Sequence, residues 1–220
     1  DMQFGSAGQE IRCADMQLTT RLEQFFPLHL QIETLQLNRL QVEQQTTVKT
    51  KQPLRLTFPE LPWWLSLIKI DLEHFELIDF QLRSASKDPF SIDELRGKIL
   101  WYEHNLRISD MLIQLPDSSI EGQVQSNFAL PSLMAELEIH HSPSGESRHS
   151  IELRTDLQAS KNELMTGPIN LTIRDSHSPL LEVSGTLGIG PESLDFQTLR
   201  LQRFGDSGSL TASGSLDFSL

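Results

Sequence analysis

The feature that most narrows what this chain can fold into is its hydrophobic period, which is two. Leu28, Leu30 and Ile32 alternate with His29, Gln31 and Glu33; Leu35 and Leu37 then shift the phase, and Leu40 with Val42 shift it back. Such alternation gives a strand one apolar and one polar face, and a phase slip marks a bulge or a short turn. The same texture returns in Ile68-Ile70-Leu72, Leu106-Ile108, Ile120-Val124, Leu133-Ala135-Leu137-Ile139, Ile151-Leu153-Leu157 and Ile169-Leu171-Ile173, and closes the chain in Leu210-Ala212-Gly214-Leu216-Phe218.

Turn signals separate these runs: Pro116-Asp117-Ser118, Ser142-Pro143-Ser144-Gly145, Thr166-Gly167-Pro168, Gly188-Ile189-Gly190-Pro191 and Gly205-Asp206-Ser207-Gly208. Strand, turn, strand at this spacing predicts a meander of neighbouring antiparallel strands. Helical signals are few. Thr20 with Glu23 fits a capping box, with Leu22, Phe25 and Phe26 behind it and Pro27 as a stop, and Ser91 to Glu94 has a similar start. Neither predicts more than a turn or two, so no crossover helix and no parallel α/β sheet are expected.

The chain also repeats. Ser184-Gly185-Thr186-Leu187 and Ser213-Gly214-Ser215-Leu216 each follow an alternating trio, Leu181-Glu182-Val183 and Leu210-Thr211-Ala212. Gly185 and Gly214 are 29 positions apart, Thr155 stands 30 before Gly185, and Gly122 stands 33 before Thr155. A period near 30 carrying two or three strands marks a stacked, open-ended array in which each unit covers part of the next. The expected fold is therefore all-β: an elongated, curled antiparallel sheet, an open U-shaped groove or β-taco, with very little helix. Residues 1–220 read as one elongated segment of a longer protein. It has an N-terminal part (11–60), middle repeats (61–130) and C-terminal repeats (131–220).

A strand's apolar face must be covered by helices, a second sheet or something other than protein. Helices being nearly absent, two options stay open. The sheet fills its own interior as a sandwich or closed barrel, or it curls into a trough open to an apolar guest. Composition leans to the second: leucine occurs 36 times and valine 4, whereas close-packed strands favour stiff β-branched residues.

Charge and motifs exclude much chemistry. The formal net charge is −12, which repels phosphate backbones and disfavours nucleic acid and anionic membrane surfaces. The single cysteine, Cys13, makes no internal disulfide and reads as a small buried hydrophobe. No apolar run approaches the roughly 20 residues of a spanning helix, and Asp1-Met2-Gln3-Phe4 shows no signal peptide. His140 and His141, with His149 nearby, alternate across a strand and cannot chelate together. There is no Gly-x-Ser-x-Gly elbow and no glycine-rich loop followed by Lys-Ser or Lys-Thr. The 30 acidic residues mostly alternate with apolar ones, as solvated strand faces do. Trp63 and Trp64 fit a membrane-interface belt or a sugar platform, but the plainer expectation is that one packs inward and the other caps the sheet. Asn170-Leu171-Thr172 matches a glycosylation sequon, a triplet too common to carry weight by itself. The expectation is no enzyme, no cofactor and no metal.

The segment Leu61-Pro62-Trp63-Trp64-Leu65-Ser66-Leu67-Ile68-Lys69-Ile70-Asp71-Leu72-Glu73-His74-Phe75-Glu76-Leu77 resembles a phrase of the TamB branch of the AsmA-like proteins, in which a Leu-Pro element leads into an Ile-Asp-x-Leu type strand. Ile92-Asp93-Glu94-Leu95, the strand over 98–104, Leu106-Arg107-Ile108-Ser109-Asp110-Met111, and the Ser-Gly-x-Leu endings at Gly185 and Gly214 continue the likeness from about Ile11 onward. The resemblance implies a bacterial bridge protein of the periplasm in a Gram-negative cell. Its curled sheet would shield phospholipid acyl chains in a hydrophobic groove on the way from inner to outer membrane. It also implies an N-terminal inner-membrane anchor helix and an Omp85-class outer-membrane barrel partner, both met through regions outside this segment, and no nucleic acid. The residues then expected to line the lipid groove are Leu28, Leu30, Ile32, Leu35, Leu37, Leu67, Phe75, Leu106, Ile108, Val124, Leu137, Ile139, Leu153 and Leu171. The competing function is a structural or ligand-binding sandwich or solenoid module, of the adhesin or carbohydrate-binding kind, with a protein-filled core.

Overall fold

The computed structural model of the chain describes residues 2–6, 9–26, 28–44, 56–57, 61–84, 87–141, 149–161, 164–175 and 178–218. Thirteen strands form one sheet in sequence order: β1 (Met2–Ser6), β2 (Gln9–Gln24), β3 (Leu28–Gln44), β4 (Ile68–Ser84), β5 (Lys87–Tyr102), β6 (Asn105–Leu115), β7 (Ser118–Asn127), β8 (Ser132–His141), β9 (His149–Ala159), β10 (Met165–Asp175), β11 (Ser178–Ile189), β12 (Ser193–Arg203) and β13 (Ser209–Asp217). β1 and β13 are free edges, so the sheet is open and curled, neither a sandwich nor a closed barrel. The one helical element among the described residues is the 3₁₀ turn Trp63–Leu67.

Every neighbouring pair is antiparallel except β3 and β4, which run parallel from Leu28↔Ile68 to Gln44↔Ser84. A parallel pair needs a crossover, here residues 45–67. Its described end lies on the apolar side of the sheet, because the Trp101 indole N–H donates to the Leu65 carbonyl at 3.1 Å. Further back, the Leu56 N–H donates to the Pro191 carbonyl in the β11–β12 turn at 2.6 Å. The crossover thus ties the start of β4 to a turn eight strands on, along one rim of the sheet. Leu157 and Met165, two of the few buried apolar side chains, sit at that rim.

The phase slips in the sequence become bulges. Between Ile32 and Thr34 the β2–β3 register shifts, as the alternation requires. Arg39, Asp79, Asp110 and Thr198 adopt left-handed backbone; Asp110 and Thr198 stand where their strands take up an extra residue, whereas the register runs unbroken past Arg39 and Asp79. Asp110 and Thr198 are equivalent: each lets two bulge residues oppose one glycine of the preceding strand, Gly97 or Gly185.

Three local expectations are corrected. Thr20 to Glu23 is not a helix start; Thr20 pairs with Ile32 and Leu22 with Leu30 at the end of β2. A ladder of partners outweighs a capping box followed by too few residues to propagate a helix. Pro27 lies outside the described residues. Ser91 to Glu94 belongs to β5, with Ile92 opposite Phe80. Thr166-Gly167-Pro168 is inside β10, not a turn. Gly167 fits there because a Cβ would strike the Asp156 carbonyl of β9, and Pro168, lacking an N–H, interrupts only the β9 ladder. The turns at Pro116-Asp117, Gly190-Pro191 and Gly205-Asp206 form as expected; the Ser142-Gly145 turn lies outside the described residues.

Candidate functional site

Partners in a ladder share a face, so the register traces the apolar side chains across the sheet. One row runs Leu18–Leu35–Phe75–Gly97 through β2 to β5, and its counterpart Gly122–Leu137–Leu153–Leu171–Val183–Leu201–Leu210 runs through β7 to β13. A second runs Leu37–Leu77–Leu95–Ile113–Ile120–Ile139–Ile151–Ile173–Leu181. A third runs Ile32–Leu72–Ile99–Ile108–Val124–Ala135, and a fourth runs Leu22–Leu30–Ile70–Trp101–Leu106 near the crossover rim.

Thirteen of the fourteen expected groove residues therefore lie on one face: Leu28, Leu30, Ile32, Leu35 and Leu37 on β3, Phe75 on β4, Leu106 and Ile108 on β6, Val124 on β7, Leu137 and Ile139 on β8, Leu153 on β9 and Leu171 on β10. Leu67 does not; it ends the 3₁₀ turn, outside the ladders and exposed. The sequence reading missed the β5 contribution, Leu95, Ile99 and Trp101. Asp93-Glu94 separates Ile92 from Leu95 and breaks the alternation there, and Gly97 leaves a gap in it.

What distinguishes this face is the absence of a layer over it. Among the described residues, substantial contacts join only successive strands, with the 3₁₀ turn against β4 as the exception. The thirteen residues are half-buried, and the fully buried apolar set is only Cys13, Leu72, Leu77, Ala135, Leu157 and Met165. Neighbours within the sheet cover each side chain laterally, and among the described residues only the end of the crossover lies over this face. At the crossover rim the ring of Trp101 meets Phe128 with centroids 5.7 Å apart.

The opposite face is polar and carries an open depression of about 720 Å³ between β5 and β9, bordered by Arg96, Arg107, Asp110, Gln123, Glu136 and Arg154. Its charges are mostly satisfied in pairs. Lys98 Nζ lies 2.7 Å from Asp110, a hydrogen bond that raises the lysine above its ordinary pKa and lowers the carboxyl below its own. Arg174 Nε donates to Glu152 at 2.8 Å, and the Gln123 amide donates to Glu136 at 2.8 Å. Glu121, Glu138 and Glu152 face one another across three strands, yet no group of three potential metal ligands assembles among the described residues. His140 and His141 pair with Ser119 and Ser118, and as adjacent strand residues they point to opposite faces.

No helix among the described residues is long and apolar enough to cross a membrane. In comparison with known proteins, no family model, no curated protein and no solved structure matches this chain.

Proposed function

We propose that the uncovered apolar face binds the acyl chains of phospholipids and that the chain is a carrying segment of a TamB-like bridge protein. The observation behind this reading is the run of half-buried leucines and isoleucines from β3 to β12, flanked by exposed ones on β2 and β13, over which the described residues place no second layer. Each methylene moved from water onto such a face gains about 0.8 kcal/mol. The hydroxyls that the registers bring onto the face, Ser126 and Thr155, donate to backbone carbonyls, so the face holds tails without fixing them, which suits passage more than storage. Headgroups would remain in solvent at the rims. By resemblance, the setting is the periplasm of a Gram-negative bacterium, with inner-membrane anchoring and an Omp85-class partner reached through regions beyond residues 1–220.

The test is lipid extraction and native mass spectrometry of the purified chain. Co-purifying phospholipid that disappears in Leu137→Asp supports the reading. A chain recovered free of lipid, and indifferent to added phospholipid, refutes it.

A further inference from the structure

The adjacent tryptophans are not explained by an apolar face, since neither packs inward: Trp63 is 74% and Trp64 48% exposed. They do not stand alone. Because β3 starts at the same rim as β4, the β2–β3 turn brings Phe25 and Phe26, 83% and 77% exposed, beside the 3₁₀ turn. The β5–β6 turn adds Tyr102 and the β7–β8 turn adds Leu130, 76% exposed. The opposite rim presents Phe90, Leu180 and Phe204, none more than 50% exposed. One rim thus displays a line of aromatic side chains on successive turns.

We propose that this rim docks into the interfacial zone of a zwitterionic phospholipid bilayer. This rests on the lipid-carrying reading, from which it differs in naming where the face meets a membrane. Three observations favour a bilayer over a protein partner. Trp63, Trp64 and Tyr102 are the rigid amphipathic kind that settles at headgroup level, and Phe25, Phe26 and Leu130 add apolar surface beside them. They sit on turns, whose free backbone groups need water or headgroups. They also continue inward into the row Leu22–Leu30–Ile70–Trp101–Leu106, so a tail leaving the bilayer meets apolar surface without a polar gap. The charged residues next to the line are Glu23, Lys69 and Glu103, with no basic cluster, and the chain carries net charge −12; the partner surface is therefore neutral, not anionic.

The experiment uses the 220-residue chain and phosphatidylcholine vesicles. Flotation of the wild type is expected, with tryptophan emission shifted to the blue and quenched by lipids brominated near the headgroup. Phe25→Ser/Phe26→Ser and Trp63→Ser/Trp64→Ser should each weaken partition at least tenfold while the lipid extracted with the protein is unchanged. Wild-type chain that carries lipid but does not float overturns the rim and leaves the carrying face standing. Self-association abolished by the same variants, without vesicle binding, overturns it in favour of a contact between copies. A wild type that floats through the rim yet carries no lipid supports the rim and refutes the carrying face. Should the variants misfold, the depth-dependent quenching of the wild type decides alone.

Discussion

At the residue scale the bulges expose the tension between shape and local energy. Thr198 holds a left-handed backbone, φ 51°, which costs an L-residue roughly 1–2 kcal/mol, more uncomfortably so for a β-branched one. It is tolerated because Leu199, its neighbour in the bulge, fills the space over Gly185. Thr198→Gly should raise stability by about 0.5–1 kcal/mol after the glycine's own entropy is subtracted, read as a higher urea midpoint; a lower midpoint would show that the bulge needs the threonine side chain. Asp110, the equivalent bulge residue, is held by Lys98. Its lowered carboxyl pKa means that the pair's stabilisation is present above the ordinary carboxylate range and is lost as pH falls through the lowered value. The raised lysine means it is present below the ordinary lysine range and lost as pH rises through the raised value. Both groups are solvated, so the effect on melting is small. NMR titration should place the Asp110 carboxyl below its usual range and return it there in Lys98→Met; an Asp110 titration unmoved by that substitution refutes the pair.

At the element scale, side chains on the same face should differ in what they do. Leu157 is 1% exposed near the rim end of β9; Leu157→Ala should cost about 2–5 kcal/mol. Leu137 is half-buried with no second layer above it among the described residues, so the carboxylate in Leu137→Asp can reach water, and the cost should be nearer the ~1 kcal/mol span of strand preferences. In a two-layer core the order would be the reverse, and denaturation of the two variants distinguishes the cases. The alternation made most of these strands legible: the registers of β3 and β6 to β9 follow directly from which residues are apolar. Two elements were not legible. β5 hid behind Ser91 to Glu94, which mimics a helix start, and behind Gly97, and the end of β2 behind a capping box that only the ladder to β3 overrules. Nor could alternation reveal the parallel β3–β4 pair. Pairing direction depends on where residues 45–67 return the chain, and period two is the same in either direction. The candidate face was readable residue by residue, apart from Leu67 and β5; its lack of a covering layer was not, since a sandwich has the same period.

At the scale of the whole molecule, the open sheet leaves a large surface. The chain exposes 14700 Å², whereas a compact protein of 25.0 kDa exposes about 10,200 Å². The exposed apolar side chains of the open sheet, such as Leu18, Leu22 and Leu210, contribute to the difference, at about 25 cal/mol for each Å² of apolar area. A guest that covers it binds the folded state alone, because unfolding disperses the rows that form the face. Stability must then rise with ligand by mass action, by about 2.7 kcal/mol at one hundred times the dissociation constant. Stripped of lipid, the chain should bind a fluorescent apolar dye. Its urea midpoint should climb with the logarithm of added short-chain phosphatidylcholine, kept below its micelle threshold so that single molecules are the ligand. Leu137→Asp, folded but carrying a charge in the row from Gly122 to Leu210, should abolish the climb. A lipid-free chain that ignores the dye, with a midpoint flat against added lipid, would mean that the leucines cover one another well enough in solution to need no guest.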